Sequence, residues 1–117
     1  MGRVLVVEDD TPIATLIADE LGDVGHLVDV VSNGADALES LEAYPPDVIV
    51  LDLMLPTVHG WAFLERYREV THGQDIPIVV VSAAGAVTRS MEALGVRRFL
   101  PKPFQVGDLV DAIEDVL

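Results

Sequence analysis

The stretch that decides the fold reads Val48-Ile49-Val50-Leu51-Asp52, four apolar residues followed by a carboxylate. Three of the four are β-branched, and a short continuous run of this kind is typical of a strand buried on both faces, as in a parallel sheet. Similar runs recur along the chain, with turn or polar residues at their ends. Strands are predicted at 4–7, 27–31, 48–51, 76–81 and 97–100.

Segments with apolar residues at helical spacing separate the predicted strands. In the first segment, we expect Thr11 to be the N-cap and Pro12 to take the first helical position, where proline is common. Five strands alternating with five helices predict an α/β fold, a doubly wound five-stranded parallel sheet with helices on both faces and right-handed crossovers. The residues expected to face the core are Ile13, Leu16, Ile17, Leu21 and Val24 in the first helix, Ala37, Leu38 and Leu41 in the second, Phe63, Leu64, Tyr67 and Val70 in the third, Val87, Met91 and Leu94 in a short fourth, and Val106, Leu109, Val110, Ile113 and Val116 in the last.

Length and composition restrict the function. A chain of 117 residues suits a single domain, which we expect to span residues 1–117. The formal net charge of -13 makes contact with nucleic acid or an anionic membrane unfavourable. The lack of cysteine excludes disulfides, thiolate metal sites and cysteine nucleophiles. Because no apolar run is long enough for a membrane span and the N-terminus does not resemble a signal peptide, we expect a cytoplasmic location.

Acidic residues follow two of the predicted strands. Glu8, Asp9 and then Asp10 come after the first strand, and Asp52 ends the third. The carboxyl ends of parallel strands share one edge of the sheet, and ligands bind beyond that edge. Carboxylates that meet there repel one another unless a cation lies between them or their pKa values rise. Hard oxygen ligands in an open site favour Mg²⁺, whereas the sequence has nothing like a multi-ligand Ca²⁺ loop.

Two more polar residues belong to the same edge of the sheet. Ser82 ends the fourth predicted strand, and Lys102, the only lysine of the chain, follows the fifth. A lysine is most often a solvated surface residue, but here Pro101 and Pro103 restrict the backbone and the strand end directs the side chain towards the acids. Beside Asp52 and Lys102, the serine hydroxyl is placed to donate to a phosphoryl oxygen.

Four motifs in this order resemble the response-regulator receiver family of two-component signalling, and the resemblance covers the whole chain. They are Val6-Val7-Glu8-Asp9-Asp10, Leu51-Asp52-Leu53-Met54-Leu55-Pro56, Val81-Ser82-Ala83 and Lys102-Pro103-Phe104. Each motif alone has low specificity, whereas all four at family-like spacing are a specific signature. The resemblance implies a flavodoxin-like strand order, 2-1-3-4-5. It also implies a cis peptide bond between Lys102 and Pro103, against a base rate of ~5% for X-Pro bonds.

The resemblance implies a role for each residue of the site. Asp52 is the nucleophile, which takes a phosphoryl group from a phosphohistidine of a partner kinase or from a small phosphodonor. Asp9 and Asp52 bind Mg²⁺ directly, Glu8 binds through water, and the main-chain carbonyl of Met54 completes the protein ligands. Lys102, together with Mg²⁺, neutralises charge on the phosphoryl oxygens. The domain is then a regulatory phosphoacceptor, not an enzyme, although it catalyses its own phosphorylation and dephosphorylation.

A conformational switch is also implied. Phosphorylation adds roughly 1.5 to 2 negative charges, and Ser82 would move towards the phosphoryl group while Phe99 turns inward behind it. The surface of the fourth helix, fifth strand and fifth helix would change between two pre-existing states. Phe99 is equally compatible with a plain core role. Small Ala83 would leave room for the phosphoryl group.

Three positions depart from the common pattern of the family. Ser82 stands where threonine is more usual, which keeps the hydroxyl but loses the methyl group that restricts its rotamer. The interval from Ser82 to Lys102 is shorter than usual, which leaves the detail of the output surface open. His59 stands where the family often has aspartate, and we expect an exposed loop residue there and not a metal ligand.

The charges on the fifth predicted strand and the last helix affect which partners can bind there. The fifth predicted strand begins with Arg97 and Arg98, whereas the last helix offers only acids. Many receivers of the transcription-factor type carry the opposite signs at these places and dimerise through them, so we expect a monomer when unphosphorylated and leave association on phosphorylation open. The implied partners are a sensor histidine kinase or a histidine phosphotransfer protein, and a downstream effector protein or output domain.

Two other functions share part of this residue set. A phosphatase of the haloacid dehalogenase type also uses an aspartate nucleophile, a hydroxyl, a lysine and Mg²⁺, but its chemistry needs a second aspartate two residues later, where this chain has Met54. A pseudo-receiver would keep the fold and bind partners without phosphorylation. Met54 at that position argues against the phosphatase, and the complete set of Asp52, Ser82 and Lys102 argues against the pseudo-receiver.

Overall fold

The structure, a computed structural model, describes residues 2–53, 60–82, 93 and 95–117. Its strands are β1 (Arg3–Val7), β2 (Leu27–Val31), β3 (Val48–Asp52), β4 (Ile78–Ser82) and β5 (Val96–Pro101). Its helices are α1 (Thr11–Asp23), α2 (Gly34–Ala43), α3 (Gly60–Val70) and α4 (Val106–Val116). The predicted short helix with Val87, Met91 and Leu94 lies outside the described residues.

The five strands form one parallel sheet in the order β2-β1-β3-β4-β5, which confirms the predicted fold class. The inner strands β3 and β4 are buried throughout, as their continuous apolar runs require. The prediction of a buried strand is wrong for β2, where Leu27 is 72% exposed. As an outer strand, β2 is covered by β1 on one side only. β4 begins at Ile78 and not at residue 76, because Pro77 has no N–H for the strand ladder.

Helices cover both faces of the sheet. Side chains of α2 and α3 pack on one face, and those of α1 and α4 pack on the other, because successive strand residues point to opposite faces. The first core contains Leu5, Val7, Ala37, Leu41, Ile49, Leu51, Leu53, Phe63, Leu64, Tyr67, Ile76, Ile78, Val80 and Val96. The second contains Val4, Val6, Ile17, Leu21, Val48, Val50, Val79, Val81, Leu109, Val110, Ala112 and Ile113. In the described part of the chain, none of the helices is long and apolar enough to cross a membrane.

The start of α1 differs from the prediction. Asp10, and not Thr11, is the N-cap, since its carboxylate Oδ1 accepts the N–H of Ile13 at 3.2 Å. An aspartate at this position satisfies a backbone donor that the helix itself cannot pair. Leu16 and Val24 are exposed and do not face the core as predicted. Val24 follows the last turn as the C-cap, and Leu16 lies on the outer side of the helix.

Gly95 fixes the entry of the chain into β5. Its φ of +104° lies in the left-handed region, and a Cβ there would overlap the hydroxyl of Tyr67. That hydroxyl lies at the end of a buried side chain, accepts from Arg68 Nε at 3.3 Å and lies 3.5 Å from Asp75 Oδ1. Burial raises the pKa of the Tyr67 phenol. α3 and the start of β5 are therefore packed so closely that position 95 has no space for a side chain.

Candidate functional site

The carboxyl edge of the sheet collects the predicted site residues. Glu8 follows β1, Asp52 ends β3, Ser82 ends β4 and Lys102 follows β5. Parallel strands β1, β3, β4 and β5 are neighbours in the sheet, so these four positions come from adjacent strand ends. The strand order in the sheet therefore determines which side chains meet.

Lys102 bridges two buried carboxylates. Its ammonium Nζ lies 2.6 Å from Glu8 Oε1 and 2.9 Å from Asp52 Oδ2. The exposed fractions of the side chains are 18% for Lys102, 1% for Glu8 and 4% for Asp52. The backbone N–H of Lys102 donates to the carbonyl of Ser82 at 2.9 Å, and the Lys102–Pro103 peptide is cis, as the family resemblance implies. The backbone thus holds the lysine where its charge offsets those of the two acids.

Three carboxylates at this edge are close enough to share a metal ion. One oxygen each from Glu8, Asp9 and Asp52 lie within 4.8 Å of one another, with Asp9 exposed and the other two buried. Among the described residues, buried Glu8 Oε2 has no hydrogen-bond partner, so it has a lone pair available to a ligand. An all-oxygen donor set open to solvent on one side fits Mg²⁺. Asp10, which also follows β1, instead caps α1.

Burial and the proximity of these charged groups shift the pKa values of Glu8 and Lys102. Burial and a hydrogen bond to Asp52 raise the pKa of the Glu8 carboxyl from 4.5 to about 7, although Lys102 acts in the opposite direction. Burial lowers the pKa of the Lys102 ammonium, but hydrogen bonds to Glu8 and Asp52 outweigh burial and raise it. The lysine therefore remains charged, while the Glu8 carboxyl holds a proton more readily than an exposed glutamate would.

Ser82 and Phe99, the two residues expected to move on phosphorylation, lie on the neighbouring strands β4 and β5. Ser82 is fully buried and pairs in register with Pro101, and Phe99 pairs in register with Val80 two positions earlier on β4. Phe99 is partly buried and packs against the first core. This position is compatible with either role considered for Phe99, a core aromatic or a residue that moves further inward.

Some predictions fall outside the described residues. These are the metal ligand Met54, the loop residue His59 and the small residue Ala83. Sequence reasoning directed Lys102 towards the acids but did not specify Glu8 as its partner, and the structure shows a direct ion pair between the two. The buried position of Glu8 explains the pair, because a buried charge needs a charged partner.

The arginines of β5 are engaged within the chain. Arg97 lies 3.3 Å from Asp75, and Arg98 lies 3.6 Å from Asp115 on α4. The exposed fractions of the four side chains are between 49% and 65%, so each pair contributes only ~0 to 1 kcal/mol. The pairing of Arg98 with α4 that a symmetric dimer would make between chains is thus already made within one chain.

Comparison with known proteins gives a consistent result. The family model described as the response regulator receiver domain matches residues 4–114. Response regulator MprA of Mycobacterium ulcerans is 32% identical over 117 residues, covering 98% of this chain and 50% of that protein. Transcriptional regulatory protein TcrA of Mycobacterium tuberculosis is 38% identical over 112 residues, covering 92% and 42%. The chain therefore spans about half the length of these curated relatives.

Solved structures agree with the sequence comparison. The chemotaxis response regulator CheY4 of Vibrio cholerae superposes with a TM-score of 0.90 at 27% identity, covering 100% of this chain and 99% of that one. A receiver domain of a Francisella response regulator superposes with a TM-score of 0.89 at 27% identity, covering 99% and 96%. The similarity to both structures extends over practically the whole chain.

Proposed function

The chain belongs to the family of response regulator receiver domains, and from this membership we propose that residues 1–117 form a phosphoacceptor domain of two-component signalling whose phosphorylated residue is Asp52. One observation carries the proposal, namely that Lys102 Nζ lies 2.9 Å from Asp52 Oδ2 beside a cluster of three carboxylates. A nucleophilic carboxylate needs positive charge beside it to accept a dianionic phosphoryl group. The site offers that charge from Lys102 and offers ligands for a metal ion.

Phosphoryl transfer then proceeds as follows. An oxygen of Asp52 attacks phosphorus, the new O–P bond forms, and the P–N bond of a donor phosphohistidine breaks. A phosphohistidine ring protonated on its other nitrogen leaves as neutral imidazole, so no further acid is required. Lys102 donates to a phosphoryl oxygen and opposes the charge that collects there. Mg²⁺ held by Asp9 and Asp52, with Glu8 and the Met54 carbonyl, would supply further neutralisation.

Signal output would follow from the added charge. Ser82 donates to the phosphoryl group, and Phe99 moves into the space behind it, which alters the surface formed by the predicted helix between β4 and β5, by β5 itself and by α4. The phosphoryl donor is a histidine kinase, a histidine phosphotransfer protein or a small phosphodonor, and the altered surface is recognised by an effector protein or an output domain. The unphosphorylated domain is a monomer in the cytoplasm, and hydrolysis of the aspartyl phosphate, catalysed by the same site, resets it.

Incubation with acetyl phosphate and Mg²⁺ tests this proposal directly. Intact-mass spectrometry should show the addition of one phosphoryl group, which hydroxylamine removes because acyl phosphates are labile to it. Asp52→Asn keeps the volume of the side chain but removes the nucleophile, so this variant should remain unlabelled. Asp36→Asn, on the exposed surface of α2, is the matched control and should be labelled like wild type. Full labelling of Asp52→Asn would overturn the assignment.

A further inference from the structure

A groove runs along the side of α1 that faces the outer strand β2. It has a volume of about 410 Å³, and its lining comes from α1, from the end of β2 and from the first turn of α2, with Glu8 at one end. Of the lining residues, only Glu8 belongs to the carboxylate cluster at the carboxyl edge of the sheet. The groove is therefore separate from the phosphoacceptor site and adjoins it through one side chain.

The middle of the groove is apolar. Ala14 and Ala18 lie one turn apart on the same side of α1, and their short side chains leave space between the helix and β2. Val30 of β2 also lines the groove, is 45% exposed and belongs to neither of the two described cores. Val28, two residues earlier on the same face of β2, packs against the second core instead. The groove thus offers an uncovered apolar surface to an aliphatic chain.

Carboxylates line both ends of the groove. Glu8 and Asp36 line the end at the carboxyl edge of the sheet. Asp19 lines the groove on α1 eight residues after Thr11, which is about 12 Å further along the helix axis. The described lining has no basic residue. Positive charge is therefore favoured at each end of the groove.

Glu8 has one oxygen available to a donor in the groove. Its Oε1 accepts from Lys102 Nζ at 2.6 Å, whereas its buried Oε2 has no hydrogen-bond partner among the described residues. A buried polar atom without a partner lowers stability, so a donor that reaches this oxygen gains a favourable contact. An ammonium group suits it best, because hydrogen bonds between ions are stronger than those between neutral groups.

We propose that the groove binds an aliphatic diammonium ion of the polyamine class, with one ammonium group at Glu8, the other at Asp19 and the methylene chain on the apolar middle. A metal ion would meet the charge at one end only and gain nothing from the apolar surface. A neutral apolar molecule would displace water from the carboxylates without replacing its hydrogen bonds. The inference goes beyond the proposed function and does not depend on phosphorylation of Asp52.

Diaminooctane and octylamine, compared in a chelating buffer, test recognition at both ends. The two molecules share one chain and differ by one ammonium group, so octylamine should bind about fivefold more weakly in calorimetry. Amide NMR shifts caused by diaminooctane should concentrate in α1, at the end of β2 and at the start of α2. Undetectable binding of diaminooctane, equal affinity for octylamine, or shifts spread evenly over the acidic surface would overturn the proposal.

A change at Asp19 tests the end of the groove on α1. Asp19→Asn keeps the volume of the side chain and should weaken diaminooctane about fivefold but leave octylamine unchanged, because the single ammonium of octylamine binds at Glu8. Glu20→Gln, at the next and equally exposed acid of α1, lies outside the groove and is the matched control for net charge. Equal weakening of diaminooctane by both variants would mean that only net charge matters, which contradicts the proposal.

Changes at Glu8 and at its neighbour separate the groove from the metal cluster. Glu8→Gln should weaken both amines, whereas Asp9→Asn should have little effect, because Asp9 belongs to the carboxylate cluster but does not line the groove. Equal losses in the two variants would place the amine in the carboxylate cluster and refute binding in the groove.

Filling the groove tests the contact with the methylene chain. Ala18→Leu occupies the apolar middle and should block both amines, while leucine preserves the helical propensity of α1. Ala35→Leu makes the same change at an exposed position of α2 outside the groove and should bind both amines normally. Urea denaturation should confirm that both variants are folded. Normal binding by folded Ala18→Leu would show that the chain does not lie in the groove, and the proposal would fail.

Discussion

The stability of the metal-free domain should depend on the ionisation of Glu8 between pH 4.5 and about 7. Exposed carboxylates contribute little to the pH dependence of stability in this range. The folded chain raises the pKa of Glu8 from 4.5 to about 7, so the folded state binds a proton that the unfolded state has already lost. The free energy of unfolding must then fall as pH rises through this range. Since each pKa unit corresponds to ~1.4 kcal/mol, the total loss is about 3 kcal/mol. The side chain is 1% exposed, so solvent does not screen the effect.

Urea denaturation in a chelating buffer, at a series of pH values from 4.5 to about 7, measures this loss. Glu8→Gln cannot titrate, so its curve against pH should be flatter than that of wild type by about 3 kcal/mol over the range. Glu39→Gln, an exposed carboxyl on α2, should run parallel to wild type. If wild type and Glu8→Gln differ by a constant amount at every pH, folding does not raise the pKa of Glu8 and the reasoning is refuted.

Magnesium should cancel most of this dependence on pH. The ion binds the ionised carboxylates and competes with the proton on Glu8, so its stabilising effect grows as pH rises. At one hundred times the dissociation constant it adds ~2.7 kcal/mol, which is close to the loss expected without the ion. The same titration repeated with Mg²⁺ therefore separates a metal site from a merely acidic surface, since a surface cluster would leave the slope unchanged.

Four further predictions concern single positions and the oligomeric state. Asp9→Ala should weaken Mg²⁺ binding at least ~10-fold by calorimetry and slow labelling by acetyl phosphate in parallel, so unchanged affinity would remove Asp9 from the site. Lys102→Ala should retain Mg²⁺ binding but slow labelling ~100-fold in a mass-spectrometric time course. Gly95→Ala should lower the free energy of unfolding by more than ~1 kcal/mol in urea, because alanine is strained at this φ and its Cβ meets Tyr67. Sedimentation of the beryllofluoride-activated domain at low and high salt should show no tight, salt-insensitive dimer, because Arg97 and Arg98 are already paired within the chain.

The fold could be predicted because its strongest signals are local. The apolar, β-branched run before Asp52 is typical of a buried strand, and the alternation of strands and helices predicts a parallel sheet. The position of β2 at the edge could not be read in the same way, because its apolar residues resemble those of the inner strands. Edge position is a property of strand order, which only the family resemblance indicated. Local sequence was also insufficient for Leu16. Its spacing along α1 predicts a core residue, whereas its side chain is exposed.

The sequence predicted that Glu8, Asp9, Asp52 and Lys102 lie close together, but it did not predict which of their atoms are in contact. Strand ends bring Asp52 and Lys102 to one edge, and this follows from topology alone. Which oxygen the lysine meets depends on side-chain conformations, so the Glu8 contact at 2.6 Å could not be obtained from spacing. The cap formed by Asp10 was missed for a related reason, since Asp10 and Thr11 are both good capping residues and only the backbone path decides between them.

Lys102 is the only lysine in the chain, so the only side-chain amine of this domain is the one held between Glu8 and Asp52. Reagents that acylate side-chain amines will therefore modify the proposed phosphoacceptor site. Lysine acylation becomes a direct measure of how often this ammonium leaves its two carboxylates. Attachment chemistry directed at lysine, whether a fluorophore or a surface coupling, is unsuitable for this protein because it would modify that site.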